Sequence, residues 1–491
     1  MSTANDELML IDGDLVESSS GRRFDNINPA TEEVIGQVAD GTPADTDRAI
    51  AAARRAFDTT DWPTDREMRA RALLQLQDAL ESERELYRQE LIDETGMPRS
   101  LVASAHLDAT LEDALRFPAG MIRDFAWERS LDPVAKGGQV VRRTVRKEAV
   151  GVVGAIVPWN VPLEVTLHKL GQALATGNTV VLKPAPDTPF NATRLARLVV
   201  DKTDIPPGVL NVVTSSDHLI GEALVTDPRV DMISFTGSTA TGRRIAEKAA
   251  PTLKRLFLEL GGKSAHILFD DADLDVQLPL AARWVTAHAG QGCHLPTRLL
   301  APRSRYDEIV ERVRAEMEQV PYGDPNDPDV HMGPVISARQ HERVLGYLRL
   351  GREEGARLVT GGRRPAHLDK GFFIEPTVFA DVDNSMRIAR EEIFGPVLVV
   401  IPYDDEDDAV RIANDSQYGL AGNISTQDPE RALRVASRLR VGVARINGSD
   451  PYAADAPFGG YKQSGLGRQN GVEGFEQYLQ TKTLGLPDTF R

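Results

Sequence analysis

The sequence predicts an α/β protein, and the texture of its middle carries the prediction. Beyond Val150, short β-branched runs alternate with helical patterns: GVVGAIV at 151–157, TVVLK at 179–183, GVLNVV at 208–213, VDMISF at 230–235 and LFLEL at 256–260. Strand, crossover helix and strand, repeated in this way, imply a largely parallel sheet covered on both faces. A second series runs from near Lys263 to about Lys462, with HILF at 266–269, TRLLA at 297–301, VLVVIPY at 397–403 and VGVARIN at 441–447. Two α/β units are the economical reading.

Elements outside these series have their own signals. In TPADTDRAIAAARRAF, Thr42 is placed as an N-cap, Pro43 in the first turn and Asp45 at the third position, with Ile50, Ala53 and Phe57 on one face. Leu73, Leu76 and Leu80 recur at helical spacing in a charged stretch, as in a surface helix packed along one stripe. The alternating VVRRTVRKE at 140–148 reads as a hairpin strand outside either core. The acidic run 404–408 reads as a solvated helix N-terminus favoured by the helix dipole.

Composition excludes whole classes. The 491 residues hold a single cysteine, which rules out an intrachain disulfide, CxxC zinc sites and Cys-ligated clusters and points to a reducing compartment. With 57 basic against 73 acidic residues the net charge is −16, which argues against a broad nucleic-acid surface. No stretch approaches the roughly 18 apolar residues of a membrane span. The N-terminal MSTANDELMLIDGD has neither an apolar nor an Arg-rich amphipathic stretch, so a cytoplasmic protein without a targeting signal is expected. No HExxH, His ladder or EF-hand loop is present, and no metal site is expected.

Three places have the ingredients of chemistry. The lone thiol, Cys293, lies in HAGQGCHLP, where Gly290 and Gly292 permit a sharp turn before a β-like run. A free cysteine is most often a small buried hydrophobe, but at a loop-to-strand junction it can attack a carbonyl if its proton is removed. Glu259, in LELGGKS, ends an apolar run beside two glycines, and reads either as a structural ion-pair partner or as a general base with raised pKa. In VPWNVP the strand ends in Pro158, Trp159 and Asn160: a proline-framed turn, or an amide aimed at an oxyanion. FTGSTATG at 235–242 follows a strand and opens a helix suited to an anion, although Ser and Thr usually cap helices for structural reasons and no GxGxxG exists in the chain.

Taken in order, PWN (158–160), KPAPDTP (183–189), FTGSTATG (235–242), LELGGKS (258–264), GQGC (290–293), EEIFGPV (391–397) and PFGGYKQSGLGR (457–468) resemble the aldehyde dehydrogenase superfamily over nearly the whole chain. The resemblance implies a Rossmann-like cofactor-binding domain (1–126 and 150–261), an α/β catalytic domain (262–462) and a β-hairpin oligomerisation element (127–149 and 463–491). It implies NAD as cofactor, with NADP as a second candidate, a small-molecule aldehyde as substrate, and a homodimer or homotetramer.

The resemblance also distributes roles. Cys293 becomes the nucleophile, Asn160 and the Cys293 backbone N–H the oxyanion donors, worth about 3 kcal/mol each, and Glu259 the base that hydrolyses the thioester. Lys169 matches the lysine of a proton relay. For the cofactor, Lys183 is assigned to the adenosine ribose, Ser238 to the pyrophosphate, Trp159 to the phosphate region, Glu392 to the nicotinamide ribose and Phe394 to packing beside it. Substrate contacts are assigned to Val161, Glu164, Val165, His168, Leu295, Tyr452 and Phe458, a roomier and partly polar tunnel. Two positions depart from the family pattern. Pro186 replaces the Glu usual in NAD-strict members, with Asp187 beside it, and Gln469 replaces a relay Glu and accepts no proton at neutral pH. Competing readings are a CoA-acylating enzyme, which usually lacks the Glu base, an esterase activity of the same thiol, and a non-catalytic scaffold.

Overall fold

The computed structural model describes residues 7–490, so the first six residues of the N-terminal stretch read for targeting signals lie outside it. Five apolar runs of the first series form adjacent parallel strands in the order Leu210–Val212, Thr179–Lys183, Val152–Ile156, Met232–Thr236 and Arg255–Glu259. Thr179–Lys183 is buried along its whole length, as a strand covered on both faces must be. Antiparallel strands extend the sheet: Met9–Ile11 and Asp14–Val16 at one edge, Gly465–Leu466 at the other. The N-terminal hairpin turns on Asp12 and Gly13 at φ 59° and 88°, the left-handed pair that a tight two-residue turn requires.

The helix Pro43–Thr59 begins with Thr42 as N-cap in a reciprocal capping box with Asp45. Burial raises the Asp45 carboxyl pKa, but hydrogen bonds from Thr42 and Ser19 outweigh it and hold the group below the usual carboxylate range. Ile50 and Ala53 are buried, whereas Phe57 is half-buried with the Arg54 guanidinium 4.7 Å above its ring. In Arg66–Ser82, Leu73, Leu76 and Leu80 all face the core. The acidic run supplies Asp405 as N-cap of Glu406–Asn414.

The four runs of the second series join three strands that were not among them (Arg357–Thr360, Thr377–Ala380 and Ala421–Ser425) in a seven-stranded sheet of order Arg357–Thr360, Thr377–Ala380, Val397–Tyr403, Arg298–Pro302, Ala265–Leu268, Ala421–Ser425 and Val443–Ile446, parallel except for the first pair. Gln139–Ala149, the alternating segment, is the middle of a three-stranded antiparallel sheet between Glu128–Lys136 and Leu479–Pro487. Its third strand comes from the far end of the chain, a pairing that local alternation cannot reveal. Among the described residues no helix is long and apolar enough to cross a membrane.

Candidate active site

The parallel sheet places its chemistry at one edge. Ile156 lies opposite both Lys183 and Phe235, and Thr236 lies opposite Glu259, so the segments carrying Trp159 and Asn160, Lys183, Ser238 and Glu259 leave neighbouring strands at their carboxyl ends. Ligands of open α/β sheets bind there.

The thiol arrives from the other sheet on a strained turn. His288, Ala289 and Gly290 have φ of 47°, 52° and 74°, three consecutive left-handed residues of which two carry a Cβ, at a cost of about 1 kcal/mol or more each. A Cβ at Gly290 would stand 2.0 Å from the Gly395 carbonyl oxygen, so only glycine fits. Gln291, fully buried, locks the turn: its Nε2 donates to His288 O at 3.0 Å, and its Oε1 accepts from Ile336 N at 2.9 Å. The Cys293 carbonyl packs over Gly262, where a Cβ would approach it to 2.1 Å. Asn160 donates its side-chain N–H to Gln291 O at 2.9 Å. That bond fixes the amide plane, and the amide has a second N–H to offer.

Burial governs the electrostatics. It pushes the Cys293 thiol pKa far above the usual range, with Glu259, Glu392 and Glu164 adding to the effect. Glu259 ends the strand Arg255–Glu259 with neither carboxylate oxygen hydrogen-bonded. Burial raises it to about 8 against the opposing pull of Lys169 and Arg468. A carboxyl group without partners in such a place is stable as the neutral acid. Lys169 is pushed down to about 7 by burial, with Glu259 opposing. Its Nζ lies 3.2 Å from Ser234 Oγ, which is 2.8 Å from the Tyr478 hydroxyl, and 4.4 Å from the centre of the Phe257 ring. Gln469 is buried with Oε1 unpartnered.

The residues assigned to the cofactor suit an anionic dinucleotide. Lys183 is buried, donates to Pro184 O at 3.1 Å and is pushed down to about 8 by burial. Ser238 caps the helix Thr239–Ala249 through Thr241 N at 3.2 Å, and its exposed position leaves the helix N-terminus accessible. Trp159 and Phe394 meet edge to face at 5.3 Å. Glu392 Oε1 accepts from Gly262 N at 2.9 Å, and a Cβ at Gly261 would stand 2.4 Å from its Oε2, so paired glycines make room for this carboxylate. Burial raises it to about 7. Asp187, raised by burial, lies 4.0 Å from the exposed Arg339.

Of the residues assigned to the substrate, Tyr452 and Phe458 meet edge to face at 5.1 Å, and His168 stands 6.0 Å from Tyr452. Tyr452 and Cys293 pack together on Leu420, Ala421, Val443 and Phe458. Leu295 is buried beside Gly292, where a Cβ would meet its Cγ at 2.7 Å. Val165 joins the apolar core around the first sheet and Val161 packs against it. Glu164 is buried with His106 Nδ1 2.7 Å from its Oε2. Gln291, His294 and Ser234 lie within segments singled out from the sequence but were given no role, and His106 and Tyr478 lie outside every motif. His106 ends the π-helical segment Val102–His106, which has no local signature, and Tyr478 reaches Ser234 across 244 residues of sequence.

The family model for the Aldehyde dehydrogenase family matches residues 15–484. A Pseudomonas protein named 3-succinoylsemialdehyde-pyridine dehydrogenase is 43% identical over 479 residues, covering 96% of this chain and 97% of its own. An aldehyde dehydrogenase of Mycobacterium tuberculosis, solved in complex with NAD+, superposes with a TM-score of 0.93 at 44% identity and 99% coverage of both chains. A mutant of aldehyde dehydrogenase C from Pseudomonas syringae, solved with NAD+ and octanal, gives 0.92 at 39% identity, covering 98% of this chain and 97% of its own. The chain belongs to the aldehyde dehydrogenase family.

Proposed function

We propose that this protein oxidises an aldehyde to a carboxylic acid with NAD+, through a covalent intermediate on Cys293. The observation that carries the reading is the meeting, at one point, of the chain's single thiol, an amide anchored beside it and a buried carboxyl group without partners. Cys293 Sγ bonds to the aldehyde carbon, its proton passing to water, and the carbonyl oxygen becomes an oxyanion held by the Asn160 side chain and the Cys293 backbone N–H. NAD+, when bound, supplies the hydride acceptor. Lys183 holds the adenosine ribose, Ser238 and Trp159 the phosphates, and Glu392 the nicotinamide ribose, with Phe394 packed nearby. Water then adds to the thioester carbon and gives its proton to Glu259. The carbon–sulfur bond breaks, its electron pair staying on sulfur, and the carboxylic acid and the Cys293 thiolate are released. Lys169 clears the proton from Glu259, since Gln469 accepts none.

Val161, Glu164, Val165, His168, Leu295, Tyr452 and Phe458 form the aldehyde's tunnel. Residues 1–126 and 150–261 are assigned to the cofactor, 262–462 to catalysis, and 127–149 with 463–491 to oligomerisation, although Gly465–Leu466 pairs with the first sheet. Val134, Val140, Leu486 and Phe490 are exposed there and give a homodimer or homotetramer an apolar surface to bury. The absence of disulfides suits a cytoplasmic enzyme.

A panel of aldehydes with NAD+ or NADP+, followed by NADH or NADPH absorbance, tests the reaction. Stoichiometric alkylation must abolish it, because the chain has one cysteine; oxidation that survives complete alkylation would sink the reading. Pro186 offers no carboxylate against a 2′-phosphate and Asp187 lies near Arg339, so kcat/KM for NADP+ is expected within about tenfold of that for NAD+. Since Glu259 is protonated below about 8, kcat limited by deacylation rises with pH through that value. A flat profile from about pH 6 to about pH 10 would exclude Glu259 as the base.

A further inference from the structure

Asn470 has φ 63° and ψ 174°, a region of backbone space all but reserved for glycine. It directly precedes the helix Gly471–Gln477, where an Asn side chain ordinarily accepts from the first turn, yet it makes no capping bond. The residue is 1% exposed. Glycine would relieve the strain and capping does not offset it, so the reason for Asn lies in what its side chain touches elsewhere.

Those contacts converge on the walls of the aldehyde's tunnel. Asn470 Nδ2 donates to Ala453 O at 3.3 Å, and the side chain is within hydrogen-bonding reach of the Tyr452 hydroxyl and the His168 ring. Gly471 N donates to Ala454 O at 2.9 Å. Oriented by its hydrogen bonds, the Gln172 amide accepts from Asn470 N at 2.7 Å and donates to Gly474 O at 3.2 Å. Gln172 lies one turn after His168 on the helix Pro162–Ala175. On the other side, Gln469 and Phe458 exchange two backbone hydrogen bonds of 2.7 Å each. Residues 469–471 thus tie the His168 helix, the Tyr452 loop and Phe458 together.

The tie bears most directly on Tyr452. Its backbone N donates to Asp450 Oδ1 at 3.2 Å, and the same oxygen accepts from Nε of the buried Arg445 at 3.0 Å. The loop is therefore held before Tyr452 by the second sheet and after it by Asn470 and Gly471. Between these anchors the Tyr452 ring meets Phe458 at 5.1 Å and packs in one apolar cluster with Cys293.

We infer that Asn470 is a positioning residue for specificity: by pinning the Tyr452 loop it keeps Tyr452 against Phe458 beside Cys293, so that unbranched aldehydes are oxidised in preference to branched ones. The inference rests on the proposed aldehyde oxidation at Cys293. A wall fixed at both ends selects a tail by its shape, whereas a wall released at one end yields to bulk and no longer orders a slender chain.

The test pairs isomers on the full-length enzyme: butanal against 2-methylpropanal, and hexanal against 2-ethylbutanal. In Asn470→Gly, which removes the side chain and the strain together, KM for the unbranched aldehydes is expected to rise about tenfold, and their kcat/KM advantage over the branched isomers to fall about fivefold. Their kcat, and NAD+ affinity followed by quenching of protein fluorescence, should change by less than about twofold. Asn470→Ala loses the same contacts but keeps the strain, so it should lose the same preference while melting at a lower temperature than Asn470→Gly. Equal loss of preference in two variants of unequal stability separates the placement of Tyr452 from stability. If the wild type shows no preference within either pair, or the preference survives in both variants or falls only as the melting temperature falls, the role of Asn470 is overturned while the reaction stands. If the wild type oxidises neither these four nor any aldehyde of the wider panel, the reaction itself fails and the inference with it.

Discussion

Glu259→Gln is expected to release about one equivalent of NADH per active site in a rapid burst and then to turn over about 10²–10³-fold more slowly than wild type. The amide matches the carboxyl in shape, so the surroundings of residue 259, including Gly459, whose Cβ would stand 2.8 Å from Glu259 Oε1, are undisturbed. An amide cannot accept the proton of the attacking water. The first half-reaction needs no such acceptance at residue 259, and the amide, like the neutral acid it replaces, carries no charge near neutrality. The burst therefore persists while hydrolysis of the thioester stalls. Stopped-flow absorbance resolves the two phases; a steady-state rate equal to wild type would refute the assignment. A burst slowed in parallel with turnover would show that Glu259 also takes the thiol proton.

Asn160→Ala is expected to lower kcat by about 10²–10³-fold with little change in the affinity for NAD+. Two losses combine. The oxyanion loses a donor held in place before the reaction begins, and Gln291 O, which accepts from Asn160 Nδ2 at 2.9 Å, loses the bond that ties the nucleophile turn to the first sheet. Because that turn already contains His288 and Ala289 in left-handed conformations, its strain has one restraint fewer. Asn160→Asp keeps the shape but has no N–H for either the oxyanion or Gln291 O, and it sets a negative charge where one develops, so it should be no more active than the alanine variant. Presteady-state rates of NADH formation measure the effect, and an unchanged burst rate in Asn160→Ala would remove Asn160 from the oxyanion site.

Much of this was legible in one dimension. Thr42, Pro43 and Asp45 marked the start of a helix because capping is local chemistry. The apolar runs became strands of two sheets because burial on both faces demands continuous Val, Ile and Leu. The N-terminal hairpin went unread although its Asp12-Gly13 turn is a strong short-range signal, since the flanking strands are only three residues long. Gln139–Ala149 was recognised as a strand by its alternation, but its pairing with Leu479–Pro487 depends on a segment more than 300 residues away.

The single cysteine, known from composition alone, determined that any covalent chemistry through sulfur passes through Cys293. Motif order named Asn160 and Glu259 as its expected companions. Sequence could not set their protonation states. Cys293 and Glu259 are raised by burial under segments brought from both sheets, and Lys169 is lowered by the same cause. Glu164 is the counterexample, equally buried but kept ionised by His106 and Tyr452, residues 58 positions before it and 288 after it. Side-chain identity is local, but a proton's free energy depends on every dipole and charge within several ångströms and on the water they exclude, and only the folded chain decides which those are.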